Sequence, residues 1–146
     1  MEQRKQIAEA LRDFLASTYA LYLKTQNYHW NVTGPEFFSL HILFEKQYEN
    51  MAEGVDELAE RIRSLQEPVD GSFSGFAKRS KIKETKPNLP WKTMVSELLK
   101  GHEIIVELGR PLIPWAQKLH DDITSDLLIK RVAFHEKAAW MLRAHK

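Results

Sequence analysis

Two imidazoles and two carboxylates stand out by type and spacing: His29, His41, Asp56 and Glu60. They fall within NYHWNVTGPEFFSLHILFEKQYENMAEGVDELAERI, the stretch from Asn27 to Ile62. A mixed nitrogen and oxygen donor set of this kind suits first-row divalent metals such as iron or zinc. Asp56 and Glu60 are four apart, so on a helix they share one face. His29 and His41 are twelve apart and could meet across a tight turn. The two pairs cannot meet each other within one chain. From His41 to Asp56 is about 22 Å along a helix, whereas ligand bonds are about 2 Å. The set closes if the helix carrying His41, Asp56 and Glu60 packs antiparallel on its own copy across a two-fold axis. Two equivalent sites then form, each with two imidazoles from one subunit and two carboxylates from its neighbour.

Other chemistries are excluded by inspection. The chain has no cysteine, which removes disulfides, thiolate zinc sites and cysteine nucleophiles. No glutamate has a histidine three residues later, so the Glu-x-x-His pair of an intrachain di-iron bundle site is absent, as is His-Glu-x-x-His. The formal net charge of +1 gives no global reason for polyanion binding. The opening MEQRKQIAEALRDF is charged and amphipathic, so neither a secretory signal nor a membrane span is expected. The Asn31-Val32-Thr33 sequon then carries no meaning.

The elements that must position these groups are helices. At 146 residues one domain is expected, spanning 1–146. Ile7, Leu11, Phe14, Thr18, Leu21, Thr25 and His29 recur at spacings of four and three, an amphipathic stripe with His29 on its last turn. Thr33-Gly34-Pro35 stops that helix and starts a second, predicted from Pro35 to Ser64. A connector from Gln66 to Pro90 is too long for a plain loop, which predicts a short helix near Ser72 to Lys78. A third helix opens at Pro90 or Trp91 with Asn88 as its cap, and Gly109, Pro111 and Pro114 should kink or end it. A fourth runs from Asp122 to Ala144. The fold class is all-α: a four-helix bundle whose long crossover between helices two and three carries a short helix.

NYHWNVTGPEFFSLH followed by VDELAERI, with SDLLIKRVAFHEKAAWMLRAH near the end, closely resembles the Dps family, the mini-ferritins of the ferritin-like superfamily. The similarity covers nearly the whole chain. It implies a dodecamer, twelve identical subunits built from two-fold dimers around a hollow core. It also implies that His29, His41, Asp56 and Glu60 are ferroxidase ligands shared between two subunits. Iron(II) would be oxidised there by hydrogen peroxide or dioxygen, and iron(III) stored as mineral, protecting a cytoplasmic protein's surroundings from oxidative damage. Trp30 matches a family tryptophan beside the site, where it would intercept stray oxidising equivalents or pack over the ligands. Glu45, one turn after His41, is either a further ligand, a mineral-nucleating carboxylate or an exposed glutamate. Asp121, Asp122 and Asp126 lie where such shells place an acidic three-fold pore for iron entry, although Asp121 or Asp122 would equally serve as a helix cap. Phe37, Phe38 and Phe44 read as core or interface packing.

DNA is the alternative partner, with the metal site secondary in a DNA-coating shell. DNA-binding members of the family often carry a mobile Lys/Arg-rich tail. Here the stripe already begins at Ile7 and the C-terminus reads RAHK, so no such tail is expected. One cluster remains, Lys78, Arg79, Lys81, Lys83 and Lys86, which repeated over a shell would make a weak, salt-sensitive surface.

Overall fold

The computed structural model describes residues 2–145, and among them every regular element is a helix. Helix α1 (Glu2–Asn31) and helix α2 (Phe37–Ser64) form an antiparallel hairpin, with His29 beside His41 at one end and Arg12 bonded to the Pro68 carbonyl at the other. The α1 stripe faces inward throughout: Ile7, Leu11, Phe14, Thr18, Leu21, Thr25 and His29 are all buried. Thr18 and Thr25 can sit in that apolar face because each hydroxyl donates to the carbonyl four residues back, at 2.8 and 2.7 Å.

The turn between the two helices depends on Gly34. Its φ of 103° lies in the left-handed region, where a side chain would be strained, and its carbonyl accepts from the Phe37 amide at 3.1 Å. Pro35 therefore belongs to the turn, and α2 starts two residues later than the predicted boundary. The crossover carries helix α3 (Phe73–Arg79), capped by Ser72, whose Oγ accepts from the Gly75 amide. Arg79 ties α3 to α1 through Glu9 and Asp13, both at 3.0 Å. The largely buried Lys24 pins the end of the crossover, donating to the Lys83 carbonyl at 3.0 Å and pairing with Glu97 at 3.2 Å.

Helix α4 (Trp91–Gly109) begins after Pro90, which makes no side-chain cap bond, so the expected capping role of Asn88 is not realised. The chain then breaks at Arg110 and Pro111 and resumes as α5 (Leu112–Lys118), as Gly109 and Pro111 foretell, whereas Pro114 falls in the first turn of α5, where a proline is tolerated, and breaks nothing. Helix α6 (Asp122–Arg143) packs along α4 and α5. Its N-terminus is held by Asp121, which accepts from the Thr124 amide at 3.0 Å and binds Arg61 of α2, also at 3.0 Å. Gly54 lets α2 and α6 come close. A Cβ there would lie 2.3 Å from the Arg131 guanidinium carbon, so the absent side chain makes room for a buried arginine.

Candidate metal centre

At the α1–α2 turn the two imidazoles stack, ring centroids 3.8 Å apart and planes 12° from parallel. Each is locked by the other's backbone. His29 Nδ1 donates to the His41 carbonyl at 2.7 Å, and His41 Nδ1 donates to the His29 carbonyl at 2.8 Å. A carbonyl only accepts, so both Nδ1 atoms carry a proton, and in the neutral rings both Nε2 atoms then keep a free lone pair. That is the tautomer a metal ligand needs, fixed by the outer nitrogen as metal-binding histidines commonly arrange it. Glu45, one turn along α2 from His41, brings an Oε1 to 3.9 Å from His29 Nε2. Ligand atoms of His29, His41 and Glu45 all fall within 4.8 Å of one another. Among the described residues, this is the one grouping of three histidine or carboxylate donors so close together. Glu45, ambiguous by sequence, stands with the histidines.

Asp56 and Glu60 do not join them within the subunit. Both are exposed farther along the unbroken α2 helix, so the separation of about 22 Å from His41 to Asp56 holds. Phe37, expected as packing, is 43% exposed and stacks on His41 at 5.0 Å, whereas Phe44 is fully buried in the core. Phe38 is exposed. Trp30 is 62% exposed and makes no ring contact among the described residues, so within one subunit it does not cover the ligands. The ring that does meet His29 is Tyr48, edge-on at 5.2 Å. Sequence reasoning passed over it, although His41, Glu45 and Tyr48 sit at i, i+4 and i+7 on one helical face.

The remaining candidates divide. Asp121 is no free pore carboxylate, being spent on capping α6 and binding Arg61, with only 11% of its side chain exposed. Asp122 and Asp126 are exposed, and Asp126 lies 3.6 Å from Lys130 one turn on. Arg79 likewise drops out of the basic cluster, since its guanidinium is engaged by Glu9 and Asp13. Lys78, Lys81 and Lys83 are exposed.

A second histidine pair lies deep in the bundle. His102 of α4 and His135 of α6 are fully buried, with Nδ1 atoms 2.8 Å apart and neither Nε2 hydrogen-bonded. Burial, followed by the charge of Arg131, pulls His102 down to about 3. Burial also lowers His135 well below its ordinary value, followed by His102 and then Arg131. No carboxylate joins this pair, and the nearby Arg131 cation opposes a dication, so it is not a metal centre.

The comparisons bear on the fold and the family. A ferritin-like domain family model matches residues 8–146. DNA protection during starvation protein 2 of Bacillus anthracis is 38% identical over 96% of this chain and 96% of its own length. A low temperature-induced protein of Nostoc is 39% identical over 98% of this chain and 81% of its own. Among solved structures, a Dps protein of Vibrio cholerae, described as a member of a broad superfamily of ferritin-like diiron-carboxylate proteins, superposes with a TM-score of 0.94. It is 36% identical and matched over 98% of this chain and 90% of that one. A Dps protein of Bacillus brevis matches with a TM-score of 0.94 and 31% identity, over 99% of this chain and 97% of that one. With a helical hairpin that closes two metal-ready imidazoles on a carboxylate, the chain belongs to the ferritin-like family, within its Dps branch.

Proposed function

We propose that the protein is an iron-oxidising and iron-storing mini-ferritin. Its subunits assemble as two-fold dimers into a dodecameric shell, oxidise iron(II) with hydrogen peroxide or dioxygen at inter-subunit centres, and hold the iron(III) product inside. One observation carries this reading. The neutral rings of His29 and His41 are locked with both Nε2 lone pairs free beside Glu45, while Asp56 and Glu60 stand exposed on the same unbroken helix as His41 and Glu45. Antiparallel pairing of α2 with its copy sets the carboxylates of one subunit against the imidazoles of the other.

Each residue then has a role. His29 and His41 bind the incoming iron(II), and their reciprocal backbone bonds hold the rings so that little reorganises on binding. Glu45 and the partner's Asp56 and Glu60 supply hard oxygen donors, which favour the iron(III) product over iron(II). Phe37, stacked on His41, shields that ring from solvent. Overall, two iron(II) ions and one hydrogen peroxide, with two protons, give two iron(III) ions and two waters. Exposed Asp122 and Asp126, repeated about a three-fold axis, draw cations toward the interior.

The test is stopped-flow iron oxidation with peroxide in the His29→Ala/His41→Ala variant. The rate is expected to fall by more than the roughly 10- to 100-fold that follows loss of an outer partner of a metal ligand. Size-exclusion chromatography is expected to show the shell retained. A wild-type rate in the double variant would remove these imidazoles from the reaction.

A further inference from the structure

The turn that brings His29 to His41 is held from outside its own hairpin. Trp91 opens α4, and a Cβ placed on Gly34 would lie 3.3 Å from its Cδ1 and 3.8 Å from its Nε1. The edge of the indole therefore lies against the turn at the one position whose φ of 103° already calls for glycine. Helical side chains lean toward the N-terminus of their helix, which carries the first residue of α4 over the chain before it. The ring is half-buried against the hydrophobic core. The segment that delivers Trp91 is itself tied to the last turns of α1. Lys24 donates to the Lys83 carbonyl at 3.0 Å, and the Tyr28 and Thr85 hydroxyls are bonded at 2.5 Å. Thr85 spends its own hydrogen on the Lys86 carbonyl at 3.2 Å, so Tyr28 is the donor in that pair. Tyr28 directly precedes His29. The end of the crossover thus grips the ligand-bearing corner twice, on α1 through Thr85 and on the turn through Trp91.

We propose that Trp91 is a positioning residue for the metal centre, with the Tyr28–Thr85 bond as its second anchor, and that together they set the spacing on which metal affinity depends. The inference rests on the iron-binding role proposed above for His29 and His41. Each imidazole is held by the other residue's carbonyl, at 2.7 and 2.8 Å, so both bonds cross the same gap between the helix ends. A bond of this kind is lost by about 3.5 Å, and a displacement of under about 1 Å therefore frees both rings at once. Freed rings no longer keep the proton on Nδ1 or both Nε2 atoms turned toward one ion. The turn resists such a shift poorly alone. Residues 32–36 link the helices, and the bond from the Phe37 amide to the Gly34 carbonyl, at 3.1 Å, is what closes them. Trp91 supplies the missing stiffness by packing on Gly34, and Thr85 supplies it by holding the last turn of α1 in place. Neither side chain offers a donor to the ion, so both act only through the histidines.

The test is a titration of the assembled, full-length protein with cobalt(II) alone, read by its visible ligand-field absorption, since cobalt(II) takes the same nitrogen and oxygen donors as iron(II). Peroxide-driven iron oxidation is followed in parallel over a range of iron(II) concentrations. Trp91→Ala should bind cobalt(II) about 10-fold more weakly, with an altered band. It should need more iron(II) for half its maximal rate while approaching the wild-type rate at saturation. Trp91→Phe, which keeps a flat ring on Gly34, should recover most of the affinity. Tyr28→Phe removes a single hydroxyl, folds even where Trp91→Ala does not, and should weaken cobalt(II) binding by a smaller factor. Size-exclusion chromatography and circular dichroism verify that each variant is assembled and helical. Wild-type cobalt(II) affinity in the assembled variants, or a loss that Trp91→Phe shares in full, overturns the positioning role while leaving the ferroxidase reading intact. A wild type that binds no cobalt(II) and oxidises no iron overturns both.

Discussion

Replacing the buried His102–His135 pair with leucines should abolish much of the protein's sensitivity to acid. Both imidazoles are held neutral, with His102 pulled down to about 3 by burial and His135 shifted the same way. An unfolded histidine titrates near 6.5, so as pH falls below that value the unfolded chain binds protons that the folded chain refuses. A folded pKa below the unfolded one therefore costs nothing above about pH 6.5, and stability drains away as pH falls toward 3. Between about pH 7.5 and pH 5 this amounts to roughly 2 kcal/mol for His102. His135 adds in the same direction. The pair His102→Leu/His135→Leu removes both titrations and also both unpartnered Nε2 atoms. Replacing two bonded polar groups by apolar ones of similar size is close to neutral or stabilising. Urea unfolding followed by far-UV circular dichroism at the two pH values measures the difference. At neutral pH the variant should match or exceed the wild type, and its loss on acidification should be smaller by roughly 2 kcal/mol or more. An unchanged pH slope in the variant would refute the assignment of acid lability to this pair.

Gly54→Ala should destabilise the fold by roughly 1–3 kcal/mol, because the new methyl group must displace the buried Arg131 guanidinium, and thermal unfolding will register it. Asp121→Ala should cost about 1–2 kcal/mol through the lost α6 cap, with Arg61 losing its partner as well. Asp122→Asn/Asp126→Asn, by contrast, should leave thermal stability nearly unchanged while slowing iron uptake at low iron(II), since both carboxylates are exposed and the solvent-exposed Asp126–Lys130 pair contributes only about 0.3–0.5 kcal/mol.

Much of the fold was legible because its signals are local. The α1 stripe at spacings of three and four is a direct record of the face that is buried, down to His29 on the final turn. Pro111 announces the break between α4 and α5, because its ring lacks the amide hydrogen and crowds the carbonyl four residues back. For the candidate metal centre the sequence carries a different kind of signal: helix rise alone forbids His41 and Asp56 from sharing an ion in one subunit. What escaped depends on side-chain direction. Tyr48 and Tyr22 become neighbours only once the hairpin register and rotamers are set, and nothing in a lone tyrosine marks that. His102 and His135, thirty-three positions apart, meet through the packing of α4 on α6. Asp121 and Asp126 look alike in DDITSD, yet one is consumed by a cap and an arginine while the other stays exposed.

The shared-site arrangement is tested most directly by mixing two inactive partners. One carries His29→Ala/His41→Ala, the other Asp56→Ala/Glu60→Ala, and the two are unfolded together and reassembled. In a mixed two-fold dimer one site has lost all four donors while the other is whole. Random pairing should therefore restore about a quarter of the wild-type sites and a like fraction of the iron oxidation rate. Restoration to that level is the expected result. A mixture as inactive as either parent would contradict a centre built from two subunits.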